Sequence, residues 1–376
     1  MENSFELLKI IEFSLKLDNQ KVIGYSRLLV DKLSKNGNEK LANKIIQLLE
    51  SNTPGVLMHA STASTKLPFD QESRLQLGEI ILPDEINETI VLNVSVQEYV
   101  DRFITLYQKR DKLIVEGITP PNTMLLYGAP GCGKTLLAKN LSKALGLPIV
   151  IARLDSLISS FLGNTAKNIR NYFEYAKNNQ CILFFDEFDA VAKHRDDANE
   201  LGELKRVVNS LLQNIDSLDN GSILVAATNH EGLLDPAIWR RFSLKIHMEK
   251  PDYRSRYTII SETLKELNEK EVNLLASIFR ELSGAAIKEI CINARREAII
   301  NDREIKSASE VTEFFFSTVY SLDTLARRKD LSNYNLEDRV DFLRNLDPKI
   351  FTYSVIAELT GSSKATVYRI CNNKEQ

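Results

Sequence analysis

Cysteine is scarce in this chain, with four in 376 residues. Cys132, Cys181, Cys291 and Cys371 lie far apart and share no metal-ligand spacing. That excludes a disulfide framework and a zinc module and reads as reduced thiols in a cytosol. Long apolar runs are also missing: none approaches the ~18 residues that a membrane span needs. The opening Met1-Glu2-Asn3-Ser4-Phe5-Glu6 lacks the basic start and small-residue cleavage site of a signal peptide. The expectation is a cytoplasmic protein with no membrane partner. There is no excess of basic charge either. The net charge of −3 gives no global pull towards nucleic acid, so any such contact must come from a local patch. Hydrophobic and charged residues make up 43% and 26%, as in ordinary globular protein, and the length allows two or three domains.

Against this plain background one stretch stands out: Gly128-Ala129-Pro130-Gly131-Cys132-Gly133-Lys134-Thr135. The spacing is that of a phosphate-binding loop. Glycines at 128, 131 and 133 let the backbone curl into a nest of N–H donors. Lys134 is placed to reach the β- and γ-phosphates, and Thr135 to offer its hydroxyl to Mg²⁺. The flanks suit the motif. Thr123–Tyr127 reads as a buried parallel strand, and Leu136–Leu145 as a helix whose N-terminal dipole favours anions.

About fifty residues on, the apolar run Cys181–Phe185 ends in Asp186-Glu187. An aspartate at the end of a buried strand can hold a Mg²⁺ shell, and the next glutamate can polarise a water for attack on a phosphate. Without the loop, the pair would read only as a strand entering a solvated turn. A third run, Ser222–Ala227, leads to Thr228-Asn229. Asn229 is either a turn residue or the group that orients the attacking water. Arg240 and Arg241 follow in Leu234–Phe242, as a solvated basic face or as arginine fingers for a neighbouring subunit.

The order of these motifs resembles the classical branch of the AAA family of ring-forming ATPases, over about Leu77 to Arg296. Besides the loop, the resemblance rests on Phe184-Phe185-Asp186-Glu187, Ala227-Thr228-Asn229, Asp235–Phe242 and Leu282–Ile287. It implies an α/β fold: a P-loop three-layer αβα core with a parallel sheet, plus a small all-helical lid. It further implies a hexamer with ATP and Mg²⁺ at subunit interfaces. Nucleotide contacts would come from residues 128–136, including Leu136, and from Gly284 and Ala285. Thr135 and Asp186 would serve the metal; Glu187, Lys134, Asn229, Arg240 and Arg241 would serve catalysis. There are departures. Ala129 and Cys132 stand where the family usually has proline and threonine, and neither side chain is required for the nest. The family usually has Pro-Gly between its arginines, which here are adjacent. Arg241 matches the second finger best.

Ser160-Phe161-Leu162-Gly163 resembles the pore loop of protein-threading members, with Phe161 gripping an extended polypeptide. The bland alternative is one core aromatic among sixteen phenylalanines. His194-Arg195-Asp196-Asp197 falls where a second pore loop is expected, or is a solvated turn.

The expected organisation is a helical N-terminal module over 1–50, a linker over 51–74, the ATPase core over 75–250, a helical lid over 251–320 and a helical tail over 321–376. Leu7, Leu8, Ile11 and Leu15 open the helical stripes of the first module. The segment Ser51–Thr65 is rich in small polar residues around Pro54-Gly55. In the tail, Ala357, Gly361, Val367 and Ile370 have the spacing of two helices joined by a tight turn. Ser363 would cap the second helix, with Lys364, Thr366, Tyr368 and Arg369 outward. This segment, 353–372, resembles the helix-turn-helix of lactose-repressor-type headpieces, which implies DNA contact. A helical pair for protein docking is the other reading, and Ser362 departs from the usual apolar residue.

The function expected is ATP hydrolysis by a ring that remodels or threads a macromolecule. The layout also resembles bacterial AAA proteins paired with a subtilisin-like protease in plasmid-incompatibility or phage-defence systems. The alternative is a DNA-binding regulator or replicon-maintenance ATPase that uses the C-terminal helices.

Overall fold

The computed structural model describes residues 4–15, 19–52, 78–152, 162–191, 201–218, 221–316 and 335–372. Residues 53–74 of the expected linker, Ser160 and Phe161 of the expected pore loop, and His194–Asp197 therefore lie outside the described residues. The chain forms two compact units. The first comprises Met1–Ile90, Val94–Gly128 and Lys134–Met248; the second comprises Val91–Asn93, Ala129–Gly133 and Glu249–Gln376.

The first unit is built on a six-stranded sheet. Its strands are β1 (Gly78–Ile81), β2 (Thr123–Tyr127), β3 (Ile149–Ala152), β4 (Ile182–Phe185), β5 (Ile223–Thr228) and β6 (Leu244–His247). Their order is β1-β3-β4-β5-β2-β6. All neighbours pair in parallel except β1, which runs antiparallel to β3 at the edge. Central strands of a parallel sheet are covered on both faces and so read as unbroken apolar runs. Ile182–Phe185 and Ile223–Thr228 fit this rule, being buried at every position. Helices include α4 (Val94–Gln108), α5 (Arg110–Val115), α6 (Lys134–Leu145), α7 (Leu162–Asn178), α8 (Leu201–Asp216) and the short α9 (Pro236–Arg241). The core between α7, α8 and the sheet is aromatic: Phe185 touches Tyr172, Phe173 and Phe188, and Phe188 meets Phe242 edge-on.

Ser222 fastens one end of this sheet. Its buried hydroxyl donates to the Ala176 carbonyl at 2.8 Å and accepts from the Cys181 N–H at 3.2 Å. Cys181 itself is fully buried, and burial pushes its thiol up to about 12. Cys291, in the second unit, is likewise raised to about 12 by burial. No disulfide joins any of the four cysteines.

The N-terminal helices, α1 (Ser4–Leu15), α2 (Asn19–Lys35) and α3 (Glu39–Asn52), belong to the same unit. They enclose only a small core of Leu29, Val30, Leu33 and Ala42. About fifty residues bury too little to stand alone. Here α2 lies against α5, and Arg27 bonds the Asp111 carboxylate at 3.2 Å.

The second unit is helical. Its elements are α10 (Tyr253–Thr263), α11 (Glu269–Ile278), α12 (Gly284–Ile300), a helical segment through 308–316, α13 (Leu336–Leu346), α14 (Tyr353–Thr360) and α15 (Lys364–Asn372). Side-chain caps start most of them: Asp252, Asn268, Ser283, Asn335 and Thr352 each accept from an N–H of the following turn. One hydrophobic cluster runs through all of these elements, from Ile260 and Leu275 to Phe315, Leu343, Ile356 and Val367. The helices of 335–372 thus share the core of the helices of 253–316. Arg256 is buried there, donating to the Ala276 and Pro251 carbonyls; loss of water lowers its pKa from the usual value. Among the described residues, no helix is long and apolar enough to cross a membrane.

Candidate nucleotide site

Strands β2, β4 and β5 are neighbours, and their carboxyl ends fall on one edge of the sheet. In open α/β sheets that edge is where ligands sit. Gly128 follows β2, Asp186 follows β4, and Asn229 follows β5. The topology thereby gathers the three motifs read from the sequence.

The loop after β2 turns on glycine. Gly128, Gly131 and Gly133 have φ of 134°, 75° and 92°, a region that L side chains rarely adopt. Gly128 also has no room: a Cβ would stand 2.4 Å from the Met248 carbonyl oxygen. The helix α6 begins at Lys134. Lys134 is buried and donates to the Gly128 carbonyl at 2.7 Å, so its ammonium is held over the loop. In the second unit, Ala285 N–H donates to the Gly131 carbonyl at 3.0 Å. That bond ties the first turn of α12, with Gly284, to the tip of the loop. Ala129, Pro130 and Cys132 complete the tip, and Leu136 lies in the first turn of α6.

Thr135 Oγ1 donates to Asp186 Oδ2 at 2.8 Å. A hydroxyl and a carboxylate oxygen, side by side and without nitrogen or sulfur, suit a hard divalent cation such as Mg²⁺. Among the described residues, no group of three or more His, Cys, Asp or Glu could hold a metal without other ligands. Mg²⁺ bound with nucleotide ordinarily keeps waters and takes phosphate oxygens for the rest of its shell.

Glu187 is exposed and has φ of 50°, one of two non-glycine residues with positive φ among those described. Such a backbone costs on the order of 1–3 kcal/mol and persists only where the surroundings enforce it. Here Glu187 N–H donates to Asp186 Oδ1 at 3.0 Å, and the Glu187 carbonyl accepts from Ala190 N–H at 2.8 Å. Glu187 is exposed between Phe185 and Phe188, which are both buried.

Asn229 carries a buried carboxamide oxygen without a hydrogen-bond partner. An orphaned acceptor at this edge fits a site that takes a water or ligand donor. Its position is set by a residue that sequence reasoning passed over. Asp189, buried at 6% exposure, accepts from Thr228 Oγ1 at 3.0 Å, and Thr228 Oγ1 accepts from His230 N–H at 3.0 Å. The chain on both sides of Asn229 is thus pinned from Asp189. The only local signal was a third acid in Asp186-Glu187-Phe188-Asp189. Asp189→Ala removes a charged acceptor from a buried hydroxyl, a loss of roughly 1–3 kcal/mol. The expected result is a lower Tm and hydrolysis reduced about tenfold, the effect of ~1.4 kcal/mol on a barrier. Calorimetry beside phosphate release checks it; full activity would show that Asn229 needs no such support.

Arg240 and Arg241 are both exposed at the end of α9, which Asp235 caps. Arg241 grips Asp216 of α8, Nε to Oδ1 at 3.0 Å and Nη2 to Oδ2 at 3.2 Å. Its partner within the subunit is therefore this carboxylate and not the phosphate loop. Donating these hydrogen bonds to the Asp216 carboxylate raises its pKa above the ordinary value.

A phosphate loop entering α6, with a threonine and a strand-end aspartate in contact, defines a P-loop nucleotide-binding protein. Residues 124–250 match the family described as ATPase family associated with various cellular activities (AAA). The chain is 36% identical over 282 residues to a Sinorhizobium fredii protein named Uncharacterized AAA family ATPase y4kL, covering 73% of this chain and 84% of that one. It is 32% identical over 282 residues to the proteasome-activating nucleotidase of Methanococcus maripaludis strain C7, covering 72% and 67%. With the proteasome-activating nucleotidase of Thermococcus onnurineus it shares 38% over 197 residues, half of each chain. The chain belongs to the AAA family, and it is an ATPase.

Proposed function

We propose that this protein is a ring-forming ATPase that uses ATP hydrolysis to unfold and thread polypeptide. The observation that carries the reading is the gathering of Lys134, Thr135, Asp186 and Asn229 at adjoining strand ends, in a chain similar along most of its length to proteasome-activating nucleotidases. In this reading, the N–H groups of residues 129–135 and the Lys134 ammonium hold the phosphates. Gly284 and Ala285 are nucleotide contacts that the family resemblance implies. Thr135 and Asp186 hold Mg²⁺, which neutralises phosphate charge. Glu187 polarises the attacking water and Asn229 orients it. Arg241, with Arg240 beside it, completes the site of the next subunit, which requires an oligomer; a hexamer is the arrangement the family resemblance implies.

Phe161 is proposed as the gripping residue of the central channel. The name of the archaeal relatives supports a protease as the recipient of unfolded chains. In the bacterial systems that this layout resembles, that partner is subtilisin-like. The absence of a membrane-crossing helix among the described residues fits work in the cytoplasm.

The test is phosphate release with and without a permanently unfolded protein such as casein, beside a folded control. Stimulation by the unfolded protein only is expected, and Phe161→Ala should abolish it while leaving basal turnover in place. A rate indifferent to unfolded protein would overturn the threading role.

A further inference from the structure

The last three described helices form a module whose outer face the ATPase reading does not use. Helix α14 ends at Gly361, whose φ of 64° is the left-handed turn that glycine adopts without strain. Three residues separate it from α15. Ser362 N–H donates to the Ala357 carbonyl at 3.0 Å, and the hydroxyls of Thr360 and Ser362 meet at 2.8 Å. That contact explains how a serine sits where an apolar residue was expected. Ser363 caps α15, accepting from Thr366 N–H at 3.1 Å. Val367 is fully buried beside Ile356, Leu343 and Phe351, so α15 is held firmly against α13 and α14.

What remains outside on α15 is Lys364, Ala365, Tyr368 and Arg369, all exposed. Their spacing places them on one face. Residues 361–372 contain two basic side chains and no acidic one, in a chain of net charge −3. Among the described residues, neither Lys364 nor Arg369 has an ion-pair partner. Tyr368 is braced edge-on against Tyr353, with ring centroids 5.5 Å apart. A nine-residue helix about 13 Å long, joined to its neighbour by a three-residue turn and bearing cations outward, has the shape of a major-groove reader. A protein-docking face would instead offer a cluster of apolar anchors, and this one offers a single tyrosine.

We propose that α14 and α15 form a duplex-DNA-reading module, with α15 entering the major groove. Lys364 and Arg369 face base edges and phosphates, and the exposed Thr352 and Ser354 at the start of α14 donate hydroxyls to the adjoining backbone.

The experiment uses the full chain and a fluorescent 40-base-pair duplex pool of random sequence, with repeated selection to enrich any preferred site. Binding is read by anisotropy across salt. With two cations on the groove, affinity should fall roughly tenfold between 50 and 200 mM salt, a slope of about −1.8. Arg369→Ala and Lys364→Ala should each weaken binding and reduce that slope by about one. Arg369→Lys should keep the slope and lose the selected sequence preference, because lysine lacks the bidentate fork. Ala365→Glu sets a carboxylate in the groove without touching the core, so it should abolish binding in a protein that still hydrolyses ATP. ATP turnover on the same preparations confirms that each variant is folded and keeps this question separate from the ring reading. Absence of duplex binding at 50 mM salt, binding untouched by Ala365→Glu, or binding insensitive to salt would overturn the proposal. The last outcome would favour protein docking.

Discussion

Glu187→Gln is expected to bind ATP as tightly as the native protein and to hydrolyse it about 10²–10⁴-fold more slowly, the range for loss of a general base. Glutamine keeps the length and shape of the side chain. The hydrogen bonds that hold the residue at positive φ involve only its backbone N–H and carbonyl, so they survive the change. The phosphate cradle is built from residues 128–135 and is also untouched. Only the ability to take a proton from water is lost. Equilibrium binding of a fluorescent nucleotide, run beside phosphate release, separates the two effects. Hydrolysis at the native rate would remove Glu187 from the mechanism. Lys134→Ala makes the contrasting control. Its ammonium sits over the loop itself, so its loss should weaken binding before it affects chemistry.

The second large effect is expected at Arg241. An arginine supplied from a neighbouring subunit is worth about 10³–10⁵ in turnover, so Arg241→Ala should retain ATP and barely hydrolyse it. Within one subunit Arg241 is engaged with Asp216, and 37% of its side-chain surface stays open. An ion pair this exposed is screened by water and salt, so the arginine can exchange one anion for another at little cost. Mixing Arg241→Ala with Glu187→Gln subunits should restore part of the activity. A working interface needs Glu187 from one variant and Arg241 from the other, so random mixing completes at most about one interface in four. Loss of activity with no recovery on mixing would mean that Arg241 acts only in its own subunit; full activity of Arg241→Ala alone would mean that it does not act at all. Asp216→Ala gives a further check: it frees Arg241, so hydrolysis should persist.

Which features the sequence declared, and which it concealed, follows from how far apart the partners lie. The phosphate loop was legible because its requirements are local: three glycines at fixed spacing, then lysine and threonine. Asp186 was legible because a strand buried on both faces leaves an apolar run that the acid terminates. The tight turn at Gly361 was legible because, like the loop, it needs only a glycine at a fixed spacing from nearby apolar residues. Asp189 was not, because its partner Thr228 is 39 residues away and a single buried aspartate leaves no periodic trace. The grip of Asp216 on Arg241 likewise joins two separate helices. The edge strand β1 pairs on one side only and is buried at just one of its four positions, so it lacks the near-continuous burial of its neighbour β3. Nor could the pattern reveal the left-handed backbone of Glu187, since nothing in a glutamate announces positive φ.

The merging of the C-terminal helices with the rest of the second unit has a consequence for how this chain can be dissected or reshaped. Val340, Leu343, Ile356 and Val367 belong to the same apolar mass as Leu275, Phe279 and Phe315. A break placed before residue 335 would not detach an accessory; it would strip one wall from a shared interior and leave aromatic rings facing water. By the same token, the segment cannot be lifted out and grafted onto a foreign carrier unless its inner surface is first redesigned. Which residues these helices can accept is therefore limited by the helices beneath them as much as by anything they touch outside.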